Sequence, residues 1–72
     1  MMITKHQLGA NIRHYRLKAG LTQEELDHML GYNSESFSVS RWENGKNYPR
    51  TEKLLLLIDA LGIEPNDLME ER

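Results

Sequence analysis

Apolar residues recur along this chain at the three- and four-residue spacing that places them on one face of a helix. The spacing predicts a first helix over residues 5–19, whose apolar face is Leu8, Ile12, Tyr15 and Ala19. It predicts a fourth helix from about residue 51 to residue 61, whose apolar face is Leu54, Leu57, Ile58 and Leu61. A glycine follows each segment, which is typical of a helix end.

Two helix starts are marked by the same pair of residue types at the same spacing. A threonine precedes each start and a glutamine or glutamate follows three residues later; the pairs are Thr4 with Gln7 and Thr22 with Glu25. This is the spacing of a capping box, in which each side chain bonds the backbone of the other residue. The second pair predicts a helix over residues 23–30, and Pro65 predicts the start of a short fifth helix.

The segment "SESFSVS", residues 34–40, has serine at every second position, which is the alternation of a half-buried strand. The chain offers no second strand candidate, and a lone strand would leave its backbone groups unpaired. We therefore predict a third helix over about residues 35–44, with Val39 and Trp42 on its inner side. The whole pattern predicts an all-α, five-helix structure forming one domain over residues 1–72.

Composition indicates a soluble protein with an uneven charge distribution. The chain has no cysteine, which suits a reducing compartment, and its longest apolar run, residues 54–58, is far shorter than the roughly 18 residues of a membrane span. Residues 1–50 carry seven basic and five acidic side chains, whereas residues 51–72 carry two basic and six acidic ones. We expect a cytoplasmic protein whose first part is better suited to face an anion.

Reactive side chains do not form a catalytic or metal-binding pattern. The histidines His6, His14 and His28 lack metal-ligand spacing with one another, and there is no cysteine to complete a site. Serines accompany Asp27 and His28, but neither a nucleophile turn nor a run of oxyanion-hole glycines is present. We expect no enzyme activity, no catalytic residue, no metal and no cofactor.

Three segments, in this order, resemble one known family. "GLTQEEL", "VSRWENGKNYP" and "LLLLIDALGIEPNDL" are similar to the Xre/Cro-type, lambda-repressor-like helix-turn-helix DNA-binding proteins, and the resemblance extends over residues 8–69. It implies a compact five-helix DNA-binding domain whose helices 2 and 3 form the helix-turn-helix. In such domains helix 3 enters the major groove, usually from a dimer on a palindromic operator. Double-stranded DNA and a second copy of the chain are the implied partners.

The resemblance also implies roles for individual residues. Gln23, Asn44 and Lys46 match positions that contact DNA phosphates. Arg16 and Glu43 match positions that form a buried ion pair in related domains. The first set is expected to face DNA, and the second to tie helix 1 to helix 3.

Base contacts are expected from the outer side of helix 3, at Ser36, Phe37, Ser40 and Arg41. Arginine can grip guanine through two hydrogen bonds, serine pairs with several bases, and phenylalanine can contact a thymine methyl group. Phe37 has a second interpretation, as a core residue recruited by a lengthened turn.

Two features depart from the family pattern. The stretch over residues 31–39 is two residues longer than usual, and Asp27 stands where these domains usually have alanine. We expect the two changes to belong together. The longer turn makes room for Asp27, whose carboxylate accepts hydrogen bonds from the start of helix 3 or from nearby serine hydroxyls.

An extra apolar residue on helix 4 has two interpretations. Leu56 joins Leu68 and Met69 in a predicted dimer contact, or it is buried beneath the C-terminal tail. The sequence as a whole predicts a sequence-specific transcriptional regulator, a dimeric repressor without a small-molecule ligand. The alternative is a helix-turn-helix fold used as a protein-interaction module, antitoxin-like or antirepressor, with weak or no DNA binding. The acidic second part of the chain favours that alternative.

Overall fold

Five helices account for the regular structure of the computed structural model, which describes residues 3–71. They are α1 (Lys5–Lys18), α2 (Gln23–Met29), α3 (Ser38–Glu43), α4 (Thr51–Leu61) and α5 (Pro65–Met69). No strand occurs within the described residues, so the all-α, five-helix prediction is confirmed. In the same part of the chain, no helix is long and apolar enough to cross a membrane.

Both predicted capping boxes are present. At the start of α1, Thr4 Oγ1 accepts a hydrogen bond from Gln7 N at 3.1 Å, and Gln7 Oε1 accepts one from Thr4 N at 3.0 Å. Thr22 and Glu25 repeat the two bonds at the start of α2, at 3.0 and 2.8 Å. The bond from the Thr22 backbone is the main cause that lowers the pKa of Glu25 from its ordinary value. Residues three positions apart therefore fix both helix starts.

The core lies where the helices meet, and every helix contributes to it. Its buried members are Leu8, Ile12, Leu26, Leu30, Val39, Trp42, Leu57, Leu61 and Leu68. α1 and α3 approach each other closely at Gly9, where an added Cβ would overlap the carbonyl oxygen of Trp42 and press on Glu43. A residue without a side chain is therefore required at this crossing.

A buried amide ties the end of the chain to α1. Asn11 is 1% exposed, and its Nδ2 donates to the Leu68 carbonyl at 2.8 Å and to the Glu70 carbonyl at 2.6 Å. These two carbonyls lie at the end of α5, where a helix has no partners of its own for them. The two bonds hold α5 against α1 and place the Leu68 side chain in the core.

The predicted start of helix 3 is wrong. α3 begins at Ser38 rather than at residue 35, and it ends at Glu43 with Asn44 as its C-terminal cap. Phe37 precedes it with φ 51°, and among the described residues it is the one non-glycine position with positive φ. A left-handed residue cannot continue an α-helix backward along the chain, so residues 33–36 form a turn instead.

Candidate nucleic-acid interface

A buried ion pair joins α1 to α3, at the positions where the sequence suggested one. Arg16 Nε donates to Glu43 Oε2 at 2.6 Å, and Arg16 Nη2 donates to Glu43 Oε1 at 3.0 Å. The two side chains are 7% and 2% exposed, so water is almost excluded from the pair. Two parallel bonds between a guanidinium and a carboxylate fix geometry as well as charge, and they set the orientation of α3 on α1.

The same carboxylate reaches α2 through Gln23. Gln23 Nε2 donates to Glu43 Oε1 at 2.9 Å, and Arg16 Nη1 donates to the Leu21 carbonyl, just before α2, at 2.7 Å. Glu43 is therefore a common partner for α1 and α2. The bond holds the Gln23 side chain, an expected phosphate contact, against the carboxyl end of α3.

Asp27 joins α2 to the start of α3, as the sequence indicated. Its Oδ1 accepts a hydrogen bond from Val39 N at 3.0 Å in a buried setting. Burial raises the pKa of Asp27, whereas the bond from Val39 and the positive charge of Arg41 oppose that shift. Asp27 thus supplies the first turn of α3 with an acceptor from another helix, because Phe37 provides no side-chain cap.

The turn before α3 is closed by side chains. Asn33 Oδ1 accepts hydrogen bonds from Glu35 N and from the Ser36 hydroxyl, both at 3.0 Å. Arg41 folds back from α3, donating from Nη1 to the Ser36 carbonyl at 2.7 Å and from Nη2 to Ser38 Oγ at 3.3 Å. Residues 33–36 therefore form a hydrogen-bonded turn.

The expected base contacts do not all lie on a helix. Ser40 and Arg41 lie within α3, whereas Ser36 and Phe37 precede it. Phe37 is 60% exposed, so its interpretation as a core residue is wrong. Phe37 and Arg41 are exposed and Ser36 and Ser40 are half-buried, whereas Val39 is fully buried.

The expected phosphate contacts Asn44 and Lys46 lie together at the other end of α3. Asn44 Nδ2 donates to the Ser40 carbonyl at 2.8 Å, and both Asn44 and Lys46 are exposed. Gly45, with φ 69°, reverses the chain so that Lys46 N donates to the Arg41 carbonyl at 3.0 Å. The fold brings Asn44 and Lys46 to one turn, and Gln23 on α2 bonds Glu43, the residue directly before Asn44.

Residues that organise this surface include two that the sequence did not single out. The Asn33 side chain accepts a hydrogen bond that closes the turn, and the Ser38 hydroxyl accepts a hydrogen bond from Arg41. The signal for Asn33 was available, since asparagine commonly accepts a hydrogen bond from the backbone two residues on. The pairing of Ser38 with Arg41 depends on a helix that starts at Ser38, and that start was not predicted.

The predicted dimer contacts are only partly at the surface. Leu68 is fully buried in the core, so its assignment to a dimer contact is wrong. Leu56 is 43% exposed, so its interpretation as a buried residue is wrong too, and Met69 is exposed. Leu55, which the sequence pattern did not single out, is 64% exposed beside Leu56. The histidines and carboxylates within residues 3–71 do not group into a set that could hold a metal ion.

The short helices α2 and α3 are joined by a turn and held together by buried polar contacts. This arrangement defines a helix-turn-helix domain. The sequence model of the helix-turn-helix family matches residues 12–68. The chain therefore belongs to this family, the Xre/lambda-repressor-like DNA-binding transcriptional regulators. Among curated proteins, none matches the chain.

Solved structures of regulators share this fold. The restriction-modification controller protein C.AhdI from Aeromonas hydrophila is 31% identical with a TM-score of 0.78, and the match covers 89% of this chain and 94% of that one. The P22 c2 repressor, solved with a synthetic operator, is 33% identical with a TM-score of 0.77, covering 88% and 92%. The hypothetical transcription factor NHTF from Neisseria is 25% identical with a TM-score of 0.83, covering 96% and 77%.

Proposed function

We propose that this protein is a sequence-specific repressor that binds double-stranded DNA in the cytoplasm, with α3 in the major groove. The observation that carries the proposal is the polar side of α3, where Arg41 and Asn44 are exposed and Ser40 is half-buried. Buried bonds from Arg16 and Asp27 hold the inner side of the same helix. A rigid helix with a polar outer side is what groove reading requires.

Each group of residues has a separate task in this proposal. Asn44 and Lys46 donate to phosphate oxygens of one strand, and Gln23 uses its remaining amide hydrogen on a second phosphate. Arg41 and Ser40 contact base edges in the major groove, together with Ser36 and Phe37 from the turn. The P22 c2 repressor was solved on operator DNA, which supports double-stranded DNA as the partner.

We further propose that two copies bind together through α4 and the end of α5. Leu55, Leu56 and Met69 are apolar and exposed there, and burial between two copies would remove them from water. Leu68 has no part in this contact because its side chain is already in the core. A symmetric dimer would bind an inverted repeat, since its two α3 helices are related by the same axis as the half-sites.

Salt dependence of binding tests the proposal. Two or three phosphate contacts per subunit predict a log-log slope of about −4 to −5 for a dimer. Lys46→Gln should make the slope shallower by about 2 because each dimer loses two phosphate contacts. The matched control is Lys18→Gln, which removes an exposed lysine at the end of α1 and should leave the slope unchanged. A slope near zero for the unmodified protein would contradict the proposal and favour a protein-interaction module.

A further inference from the structure

The turn before α3 exposes one large aromatic ring beside the proposed reading surface. Phe37 is 60% exposed, although phenylalanine is among the residues most often found inside proteins. Its carbonyl accepts the helical hydrogen bond from Arg41 N at 3.1 Å. Phe37 is the N-terminal cap residue of α3, so its exposed ring lies at the start of the helix that carries the exposed Arg41.

This ring is held in place by the turn. Asn33 closes the turn through Glu35 N and the Ser36 hydroxyl, and Arg41 fastens the Ser36 carbonyl directly before Phe37. On the other side, the Asp27 bond to Val39 N fixes the chain two residues later. The backbone at residue 37 is therefore restrained from both directions.

Phe37 is also an unfavourable residue for its backbone conformation. A φ of 51° is the left-handed region, which glycine and asparagine adopt far more readily than an aromatic residue. The backbone conformation does not require phenylalanine at this position, because glycine would fit it better. The packing of the core does not require it either, because the ring lies outside the core. A contact with a partner supplies the missing reason for an aromatic side chain.

We propose that Phe37 reads the C5-methyl group of a pyrimidine in the major groove, with Asn33 as the positioning residue. The inference rests on the proposed function, because it requires α3 to enter that groove. The other major-groove groups on base edges are hydrogen-bond donors and acceptors, and the methyl group is the apolar one. Thymine and 5-methylcytosine both present it, so the shared chemistry is a methyl group at C5.

The test uses duplexes that differ by single methyl groups. The starting duplex carries the sequence that the protein selects from a random library. Replacing one thymine at a time by deoxyuridine removes a methyl group and leaves pairing unchanged, while replacing one cytosine at a time by 5-methylcytosine adds one. For the unmodified protein we expect one position per half-site at which the methylated base binds about fourfold more tightly, the effect of one buried methyl-sized group.

Two variants of Phe37 separate methyl reading from folding. Phe37→Gly and Phe37→Asn both suit the left-handed backbone, so both should fold at least as well as the unmodified protein. Both should bind the methylated and unmethylated duplexes equally. Asn33→Ala keeps the ring but loosens the turn; it should reduce the methyl preference while the protein remains folded. A role confined to stability would not change that preference.

The outcomes separate this inference from the proposed function. Weaker binding to a deoxyuridine duplex identifies thymine as the source of the methyl group. Tighter binding to a 5-methylcytosine duplex identifies a methylated cytosine as the source. Equal binding of all duplexes by the unmodified protein, or an unchanged preference in Phe37→Gly, would overturn the inference and leave DNA binding intact. Absence of binding to any duplex would overturn the proposed function, and this inference with it.

Discussion

The Asp27 carboxylate and the Val39 backbone nitrogen, twelve residues apart, form a buried 3.0 Å hydrogen bond at the start of α3. In a helix with an ordinary cap, the preceding residue supplies this acceptor. Here that residue is Phe37, which has no side-chain oxygen and a left-handed backbone. Asp27 therefore caps α3 from α2, and it couples the two halves of the helix-turn-helix.

Removing this cap should destabilise the protein. Asp27→Ala leaves Val39 N without its buried partner, and we expect a loss of about 1 kcal/mol in the free energy of unfolding near neutral pH. Urea unfolding followed by circular dichroism measures the loss. Asp59→Ala, on the exposed side of α4, is the matched control and should change stability little. A neutral or more stable Asp27→Ala protein would show that the bond does not stabilise α3.

The ionisation of Asp27 predicts a dependence on pH. Burial raises its pKa above 3.8, so the folded protein holds the proton more tightly than the unfolded chain does. The stability from this group is therefore complete below the ordinary pKa and is lost as pH rises through the folded-state value. Asp27→Asn keeps an accepting oxygen but does not titrate.

Unfolding of the unmodified and Asp27→Asn proteins should be compared between about pH 4 and pH 7, above the ordinary range of an aspartate. As pH rises, the free energy of unfolding of the asparagine variant should increase relative to that of the unmodified protein. Subtracting the two curves cancels the other titrating groups, including Glu25, whose lowered pKa acts in the opposite direction. A difference that stays constant would mean that the pKa of Asp27 is the same in the folded and unfolded states.

The Arg16–Glu43 pair predicts a larger effect. Glu43→Ala leaves a buried guanidinium without its carboxylate, and we expect a loss of roughly 3–5 kcal/mol. Such a loss would largely unfold a domain of this size. Glu52→Ala, which removes an exposed carboxylate in the first turn of α4, is the control and should change stability little.

An apolar replacement of the whole pair distinguishes charge burial from packing. Arg16→Met combined with Glu43→Leu should be clearly more stable than Glu43→Ala alone, because no unpaired charge remains. The measurement is again chemical unfolding. If the double variant were as unstable as Glu43→Ala, the cost would come from lost packing and hydrogen bonds instead of from the unpaired charge.

Gly9 predicts that the crossing of α1 and α3 tolerates no side chain. Gly9→Ala must push the Trp42 carbonyl away, and we expect a cost of about 1–3 kcal/mol despite the higher helix propensity of alanine. Ala10→Ser changes a neighbouring exposed position on α1 and should change thermal stability much less. Stabilisation by Gly9→Ala would show that the two helices separate easily.

The exposed leucines of α4 predict the assembly state. Leu55→Asp and Leu56→Asp should convert a dimer to a monomer in sedimentation experiments, with little change in the stability of each subunit because both side chains are exposed. Leu17→Asp, at another exposed leucine on α1, is the control and should remain dimeric. Variants of α4 that assemble like the unmodified protein would place the contact elsewhere.

The sequence predicted those features that depend on neighbouring residues. Capping pairs such as Thr4 with Gln7 act over three positions and are visible in the order of residues. The bond from Asp27 to the start of α3 was predicted, but the position of that start was missed because it depends on a left-handed backbone at Phe37, where the residue type gives no warning. The burial of Leu68 likewise depends on the distant Asn11, whose amide holds the end of α5 against α1.

The most direct test of the central claim is selection of the purified protein on a random duplex library at near-physiological salt, read out by sequencing. We expect enrichment of a palindrome whose half-sites lie about one helical turn apart, the spacing that suits a dimer with one α3 in each major groove. Circular dichroism of the same preparation establishes that the protein is folded. Folded protein that enriches no sequence would contradict sequence-specific DNA binding and would indicate a helix-turn-helix fold used for protein interaction.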